Sequence, residues 1–237
     1  MNSQPAADRP KAIAIMVMNI TDGTLFGQGV EASAKKFNYP VVSNDAYTQG
    51  AKDFSSSILK MKAANADALI WLGSPPDGIT LVRQMKEQNF NLKYIHGIMG
   101  FWNNDFQKAL GPDANYLVHD AFWAAAMPYP GNQELDAAFR ASHDGLDSVS
   151  IGIYNANVQV VAQAIEKCGS LNSDKIESTI RGGTFKGTTM GDLTFKSNGY
   201  CFTPAAALQW MDGKRMVVWP AGLTDWTLKW IPPWNKR

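Results

Sequence analysis

The sequence predicts an α/β protein built on a doubly wound parallel sheet, and three observations carry that prediction. Short apolar runs recur from Lys11 to Trp123, with amphipathic segments between them. The runs are nearly continuous in hydrophobicity, the pattern of strands buried on both faces. The composition, 45% hydrophobic and 18% charged, is that of a chain with a core and argues against disorder, collagen-like repeats and coiled coil.

Taken in order, the first ten residues, MNSQPAADRP, are polar and Pro-bearing and read as a tail. Lys11–Met18 predicts a strand and Gly27–Phe37 a helix, with Asn19-Ile20-Thr21-Asp22 as a turn. Pro40–Ser43 reads as a strand, and Phe54–Ala64 as a helix capped by Asp53. Ala66–Gly73 is a strand, followed by a helix over Gly78–Gln88 with Ile79, Leu81, Val82 and Met85 at core-facing spacing. Lys93–Met99 and Leu117–Trp123 are strands separated by a helix near Asn104–Leu110. Strands alternating with helices in this way imply a parallel sheet covered on both sides, a single lobe over 11–123.

The pattern then changes. AAAMPYPG, residues 124–131, suggests a crossover. Helices follow over Glu134–His143, Tyr154–Lys167 and Ser173–Arg181, the last capped by Asn172 or Ser173. Short strands are expected at Asp192–Phe195, Pro204–Met211 and Met216–Trp219, with Asp212-Gly213 as a hairpin signal between the last two. Gly222–Arg237, with three Trp and two Pro, is expected to pack along the surface.

Composition also excludes functions. With 22 Lys/Arg against 21 Asp/Glu the net charge is +1, without runs of like charge, so the footprint of a nucleic-acid or membrane-surface binder is missing. Eight Trp, seven of them after residue 100, tilt the expectation toward an apolar ligand or a large interface. Cys168 and Cys201 form no metal pattern, and a bridge between them stays open. The apolar run Ala12–Met18 is too short to span a bilayer, and no small-residue cleavage site follows it, so no export signal is expected in the chain as given.

In open α/β sheets ligands bind outside the carboxyl ends of the strands. Those ends are the loops Asn19–Gly29, Ser74–Asp77 and Gly100–Asn103, and the stretch from Ala124 with Trp123 at its strand's end. They offer small residues and aromatics but no convincing acid–base pair. Gly27-Gln28-Gly29-Val30-Glu31-Ala32 fits G-x-G-x-x-A, and Asp45 lies near the distance of a ribose-binding acid. A dinucleotide fingerprint needs its first Gly at the turn directly after the strand, and here about eight residues intervene. His96, His119 and His143 are scattered, the first two in expected strands and read as core or strand-end histidines. No nucleophile elbow or P-loop occurs, and neither an enzyme, a metal nor a cofactor is expected.

The order of several segments resembles a known family. KAIAIMVMN…LFGQGVEASAKKFNYPVV is similar to the lobe-opening βαβ of type I periplasmic binding proteins of the leucine/isoleucine/valine-binding family. AYTQGAKDFSSSILKMKAANADALIWLG, LVRQMKEQNFNLKYIHGIMG, FQKALGPDANYLVHDAFW and IYNANVQVVAQAIEKCGS follow in the family's order. IESTIRGGTFKGTTMGDLTFKSNGY, LQWMDGKRMVVWP and IPPWNKR complete it. The resemblance implies a solute receptor of an ABC importer, in which two α/β lobes close around a small ligand. Residues 11–123 would be the family's second lobe, and 124–237 the remainder of that lobe, a crossover and the C-terminal part of an incomplete first lobe. The opening portion of that first lobe has no counterpart, so half of the ligand clamp is missing.

What the resemblance implies for ligand contacts is carried residue by residue. Phe26 stands where the family often has Tyr before Gly, and Ser74-Pro75 form the turn after the third strand. Phe101-Trp102 stand where branched-chain binders place an acid to receive the α-ammonium, so an amino-acid ligand would lack that partner. Trp123 and Tyr154 complete the candidate set. The expected ligand is a small apolar or aromatic carboxylate or an amino acid. The other implied partner is an ABC permease, in the periplasm or outside the cell. An unpartnered helix face with Val158, Val161, Ala162 and Ile165 leads to an expected homo-oligomer, a domain swap, or a second chain completing the lobe. Two further readings stand beside this one: a small NAD(P)-dependent oxidoreductase using Gly27–Ala32, and a ligand-sensing or interaction domain reusing the fold.

Overall fold

The computed structural model describes residues 1–203 and 205–237. Its first half alternates as the hydrophobic pattern dictates: β1 (Ile13–Met18), α1 (Thr21–Lys36), β2 (Val41–Tyr47), α2 (Ser55–Ala63), β3 (Ala68–Gly73), α3 (Pro75–Glu87), β4 (Tyr94–Met99), α4 (Asn104–Leu110) and β5 (Val118–Ala121). Then come α5 (Asn132–Ser142), α6 (Ile151–Cys168), α7 (Ser173–Ile180), β6 (Thr184–Thr188), β7 (Gly191–Thr194), β8 (Ala206–Met211) and β9 (Lys214–Trp219). The strand expected from Pro204 is described from Ala206; Pro204 itself lies outside the described residues.

The chain divides into two compact units. The first comprises Met1–Asp120, Ala207–Ala221 and Trp226–Arg237; the second comprises Ala121–Ala206 and Gly222–Asp225. In the first unit a seven-stranded sheet runs β2-β1-β3-β4-β5-β8-β9. β1 pairs in parallel with β2 and β3, β3 with β4, and β4 with β5, while β8 and β9 are antiparallel. Asp212 and Gly213, both at positive φ (49° and 78°), make the tight turn between them. The lobe drawn over 11–123 therefore gains two strands from the C-terminal part of the chain.

Central position explains the strand patterns. β1 is buried along its whole length, as a strand flanked and covered on both faces must be, whereas the edge strand β2 alternates. The core collects Trp71, Phe101 and Phe106 in a stacked series, with Trp71–Phe101 centroids 5.3 Å apart and Phe101–Phe106 4.3 Å apart. The C-terminal tryptophans pack on this unit: Trp226, Trp230 and Trp234 are half-buried against its core, and Trp234 Nε1 donates to the Phe90 carbonyl at 3.1 Å.

Several helices start earlier than expected: α3 at Pro75 instead of Gly78, so Ser74–Asp77 is mostly helix, α5 at Asn132 instead of Glu134, and α6 at Ile151 instead of Tyr154. α1 begins at Thr21 instead of Gly27, so Asn19–Gly29 is mostly helix and not a loop. Three glycines lower the helical signal there, but Gly23 has a local reason: a Cβ on it would sit 2.0 Å from the Met18 carbonyl oxygen. The residue that caps α2 is Phe54, while Asp53 serves from one position earlier by accepting from Ser55 N–H at 2.8 Å. α7 is capped as expected by Asn172, which accepts from Lys175 N–H.

The second unit holds α5–α7 and a hairpin of β6 and β7; β6 had no counterpart in the sequence reading. Its Phe185 is fully buried, with Lys167 Nζ 4.2 Å above the ring. Along α6, Tyr154, Val158 and Val161 are exposed, Val158 by 69%. Cys168 and Cys201 are both unpaired thiols.

Candidate functional site

The first unit has the order in which the chain reverses direction across the sheet between β1 and β3, and the rule for open sheets locates ligands at the carboxyl ends of such strands. Three segments meet the description there: Asn19-Ile20 after β1, Ser74 and the first turn of α3 after β3, and Gly100–Asn103 after β4.

Glycines hold this edge close. A Cβ on Gly73 would lie 2.0 Å from Tyr47 Oη and 2.1 Å from the Trp71 ring, and one on Gly100 2.2 Å from Trp71. The chain then turns sharply. Gly100 N–H donates to the Ile98 carbonyl at 2.7 Å across Met99, whose φ is +62°. A two-residue hydrogen bond around a positive φ is the strained form of the γ-turn, here on a non-glycine residue.

Polar groups complete the edge. Ser74 starts α3 in extended conformation, half-buried, with its hydroxyl making no capping bond. Pro75 follows at the first helical position, where the missing N–H costs nothing. Asp77, in the first turn and 2% exposed, accepts from Tyr47 Oη at 3.3 Å and from Gly50 N–H at 3.1 Å. Trp102 Nε1 donates to Asp120 Oδ1 at 2.7 Å, fixing the indole to the end of β5, and Arg215 donates to the Trp102 carbonyl. Burial raises the Asp120 carboxyl above the ordinary range, opposed by the Trp102 bond.

The candidate residues thus separate. Ser74, Pro75 and Trp102 lie at the strand ends of the first unit. Phe101 is there in sequence but is a core residue, fully buried between Trp71 and Phe106, with only its carbonyl engaged, by Trp210 Nε1 at 2.9 Å. Phe26 sits in the second turn of α1, half-buried, and lines a groove over the sheet face with Val30 and His96. Trp123 belongs to the second unit, where it is fully buried; a Cβ on Gly152 would lie 2.1 Å from its ring. Tyr154 is 63% exposed on α6. An aromatic at a strand end reads alike in sequence whether it lines a surface or fills a core, and Phe101 and Trp123 fill cores. Asp77 closes the loop read after the third strand, and Asp120 reads in sequence as a turn or cap carboxylate, but neither these nor Tyr47 enter the candidate set, because an isolated Asp or Tyr carries no motif.

The dinucleotide reading loses its geometry. Gly27 and Gly29 lie inside α1, past its first turn, so they form no phosphate-cradling loop at its start. Asp45 is engaged by Ser57 Oγ at 2.5 Å and Lys60 Nζ at 3.0 Å. The two strand histidines are satisfied on one side. His96 Nδ1 meets Tyr94 Oη at 3.0 Å and His119 Nδ1 meets the Asp120 carbonyl at 2.7 Å, while the buried Nε2 atoms have no protein partner. Burial pushes them down, His96 to about 4 and His119 to about 3, Arg215 adding to the effect on His119, so both rings are neutral near pH 7. Among the described residues no group of three His, Cys, Asp or Glu is placed to hold a metal, and no helix is long and apolar enough to cross a membrane.

A family model described as periplasmic binding protein matches residues 6–214. Leu/Ile/Val-binding protein homolog 1 of Brucella abortus (strain 2308) is 32% identical over 186 residues, covering 76% of this chain and 49% of that protein. The leucine-, isoleucine-, valine-, threonine- and alanine-binding protein of Pseudomonas aeruginosa is 27% identical over 197 residues, 81% of this chain and 52% of its own. Among solved structures, a leucine binding protein from Thermotoga maritima superposes with a TM-score of 0.77 at 16% identity, over 88% of this chain and 59% of that one. A branched-chain amino acid transporter substrate binding protein from Streptococcus pneumoniae, in complex with isoleucine, gives 0.72 at 21% identity, over 90% and 61%. These structures share the fold, and the chain spans about half the length of the curated relatives it matches.

Proposed function

We propose, from the premise that this chain belongs to the type I periplasmic binding protein family, that it is a solute-binding component of an ABC-type importer. The observation that carries the reading is the family match over residues 6–214 on a sheet of the doubly wound kind, whose strand ends are where such sheets take ligands. The family's members are binding proteins, and the role needs no bond chemistry: the protein holds, orients and releases.

The ligand contacts we assign are Ser74, Pro75 and Trp102. Ser74 offers a hydroxyl that can donate to a carboxylate; Pro75 and Pro76 carry no N–H, so the first turn of α3 adds only the Asp77 amide to it. Trp102, held by Asp120, offers a flat apolar face of fixed orientation. The ligand is therefore a small apolar or aromatic carboxylate, or an amino acid whose side chain is of that kind. The Pseudomonas aeruginosa relative is named for binding leucine, isoleucine, valine, threonine and alanine, and the Streptococcus pneumoniae structure holds isoleucine, so aliphatic carboxylates head the test. By the same kinship the partner is a membrane permease and the location periplasmic or extracellular.

A thermal-shift comparison of leucine, its des-amino counterpart 4-methylpentanoate, phenylacetate and NAD tests the reading. A ligand present at a hundred times its Kd adds about 2.7 kcal/mol. We expect a shift with the carboxylates, 4-methylpentanoate matching or exceeding leucine because the residues after β4 supply no acid for an ammonium group. A shift with NAD alone overturns the proposal.

A further inference from the structure

A half-buried tryptophan at the end of a strand ordinarily keeps freedom about its two side-chain torsions. For Trp102, three neighbouring strands remove it. From β5, the Asp120 carboxylate accepts from Trp102 Nε1 at 2.7 Å. From β9, Arg215 donates to the Trp102 carbonyl. From β8, Trp210 Nε1 donates at 2.9 Å to the carbonyl of the preceding residue, Phe101. The Arg215 guanidinium lies 4.1 Å above the Trp210 ring, so the two donors brace each other. The backbone of this turn is therefore held by residues 109 and 113 positions further along the chain, and the indole by Asp120.

Asp120 is the member of this clamp that stability does not account for. It is half-buried, and burial works against its charge. Among the described residues it forms no ion pair, and its one side-chain hydrogen bond is with the Trp102 indole. A desolvated carboxylate without a counter-charge costs stability. What it supplies in return is a short, charge-assisted bond that fixes the indole more firmly than a neutral acceptor does. Orientation of that kind matters to one class of guest. A flat ring is attracted to an indole in offset-stacked or edge-to-face arrangements, which depend on angle. A branched aliphatic tail gains from burial, which has no direction.

We propose that Asp120 is a positioning residue: by locking the Trp102 indole it raises the affinity of the strand-end site for planar aromatic carboxylates and leaves that for branched aliphatic ones nearly unchanged. The inference rests on the assignment of Trp102 as a ligand contact and adds the ligand feature that this contact reads. Because Arg215 and Trp210 hold the backbone on their own, loss of Asp120 frees the indole without moving the turn that carries it.

Calorimetric titration of the full chain with phenylacetate and with 4-methylpentanoate tests the proposal. Asp120→Ala is expected to weaken phenylacetate about tenfold, the worth of a well-oriented aromatic pair beyond its burial, and 4-methylpentanoate by less than about twofold. Asp120→Asn keeps an acceptor without the charge; it is expected to weaken phenylacetate about threefold, and it decides the matter if the alanine variant does not fold. In a Trp102→Phe chain, which has no indole N–H, Asp120→Ala is expected to change neither affinity further. In the ligand-free chain the Trp102 Nε1–H resonance is expected to move upfield in both Asp120 variants. The proposal is overturned by equal weakening of the two ligands, by losses from Asp120→Ala and Trp102→Phe that add in full, or by an unmoved indole resonance. If the unaltered chain binds neither carboxylate, the solute-binding reading fails and the proposal with it; intact binding with an unchanged ratio in the variants overturns the proposal alone.

Discussion

The first unit carries two concave regions, and they are built oppositely. At the strand ends, Gly73 and Gly100 leave no room for even one carbon, Trp102 is tied to Asp120, and Asp77 is enclosed by Tyr47 and Gly50. Along α1, the groove is roomy, apolar and open, with the unpartnered Nε2 of His96 buried beneath it. Groups fixed before a ligand arrives lose little entropy when it binds, so the strand-end edge has the character of a recognition surface. The groove's lining is mainly apolar, with Asn2, Ser3, Ser33 and His96 as its polar members, and it lacks the fixed polar pairs of the strand-end edge.

Substitution sharpens that contrast most strongly in stability. Trp71→Ala, which removes the ring packed under Gly73 and Gly100, is expected to cost about 3–5 kcal/mol in urea unfolding. Val30→Ala, on the groove wall, is expected to cost under about 1 kcal/mol. Equal costs would mean that the groove is as well packed as the edge.

Acid titration comes next. His96 and His119 are held neutral in the fold, at about 4 and about 3, against 6.5 unfolded. Because the unfolded chain takes up these protons first, their contribution is complete above pH 6.5 and is lost as pH falls toward 4 and then 3, by roughly 3–5 kcal/mol each. His96→Gln should flatten the slope of stability between pH 6.5 and 4, and His119→Gln that between pH 6.5 and 3. Unchanged slopes would place both rings in water.

The smallest effect concerns the γ-turn after β4. Met99→Gly removes the penalty of a positive φ on a side-chain-bearing residue and is expected to stabilise by up to about 1 kcal/mol. Destabilisation would show that the Met99 side chain repays its strain.

The parallel sheet was legible because buried strands such as β1 and β3 write themselves as unbroken apolar runs. α1 was misread at its start because Gly23, Gly27 and Gly29 serve packing and chain approach, which a propensity scale counts only as a cost. β6 was missed because Thr184–Thr188 alternates weakly and carries a Gly. The site was legible only as far as strand ends locate it. The strand-end placement of Ser74, Pro75 and Trp102 followed from position, but the bonds of Asp77, Tyr47 and Asp120 join residues 18–30 apart in the chain, which local spacing does not reveal.

The most direct test of the central claim is a map of amide shifts as 4-methylpentanoate and leucine are titrated into the isotopically labelled chain. The account predicts saturable shifts centred on Gly73–Asp77 and Met99–Asn103, with Phe26, Val30 and His96 unmoved. Shifts centred instead on those groove residues, or no saturable shifts with either ligand, would contradict it.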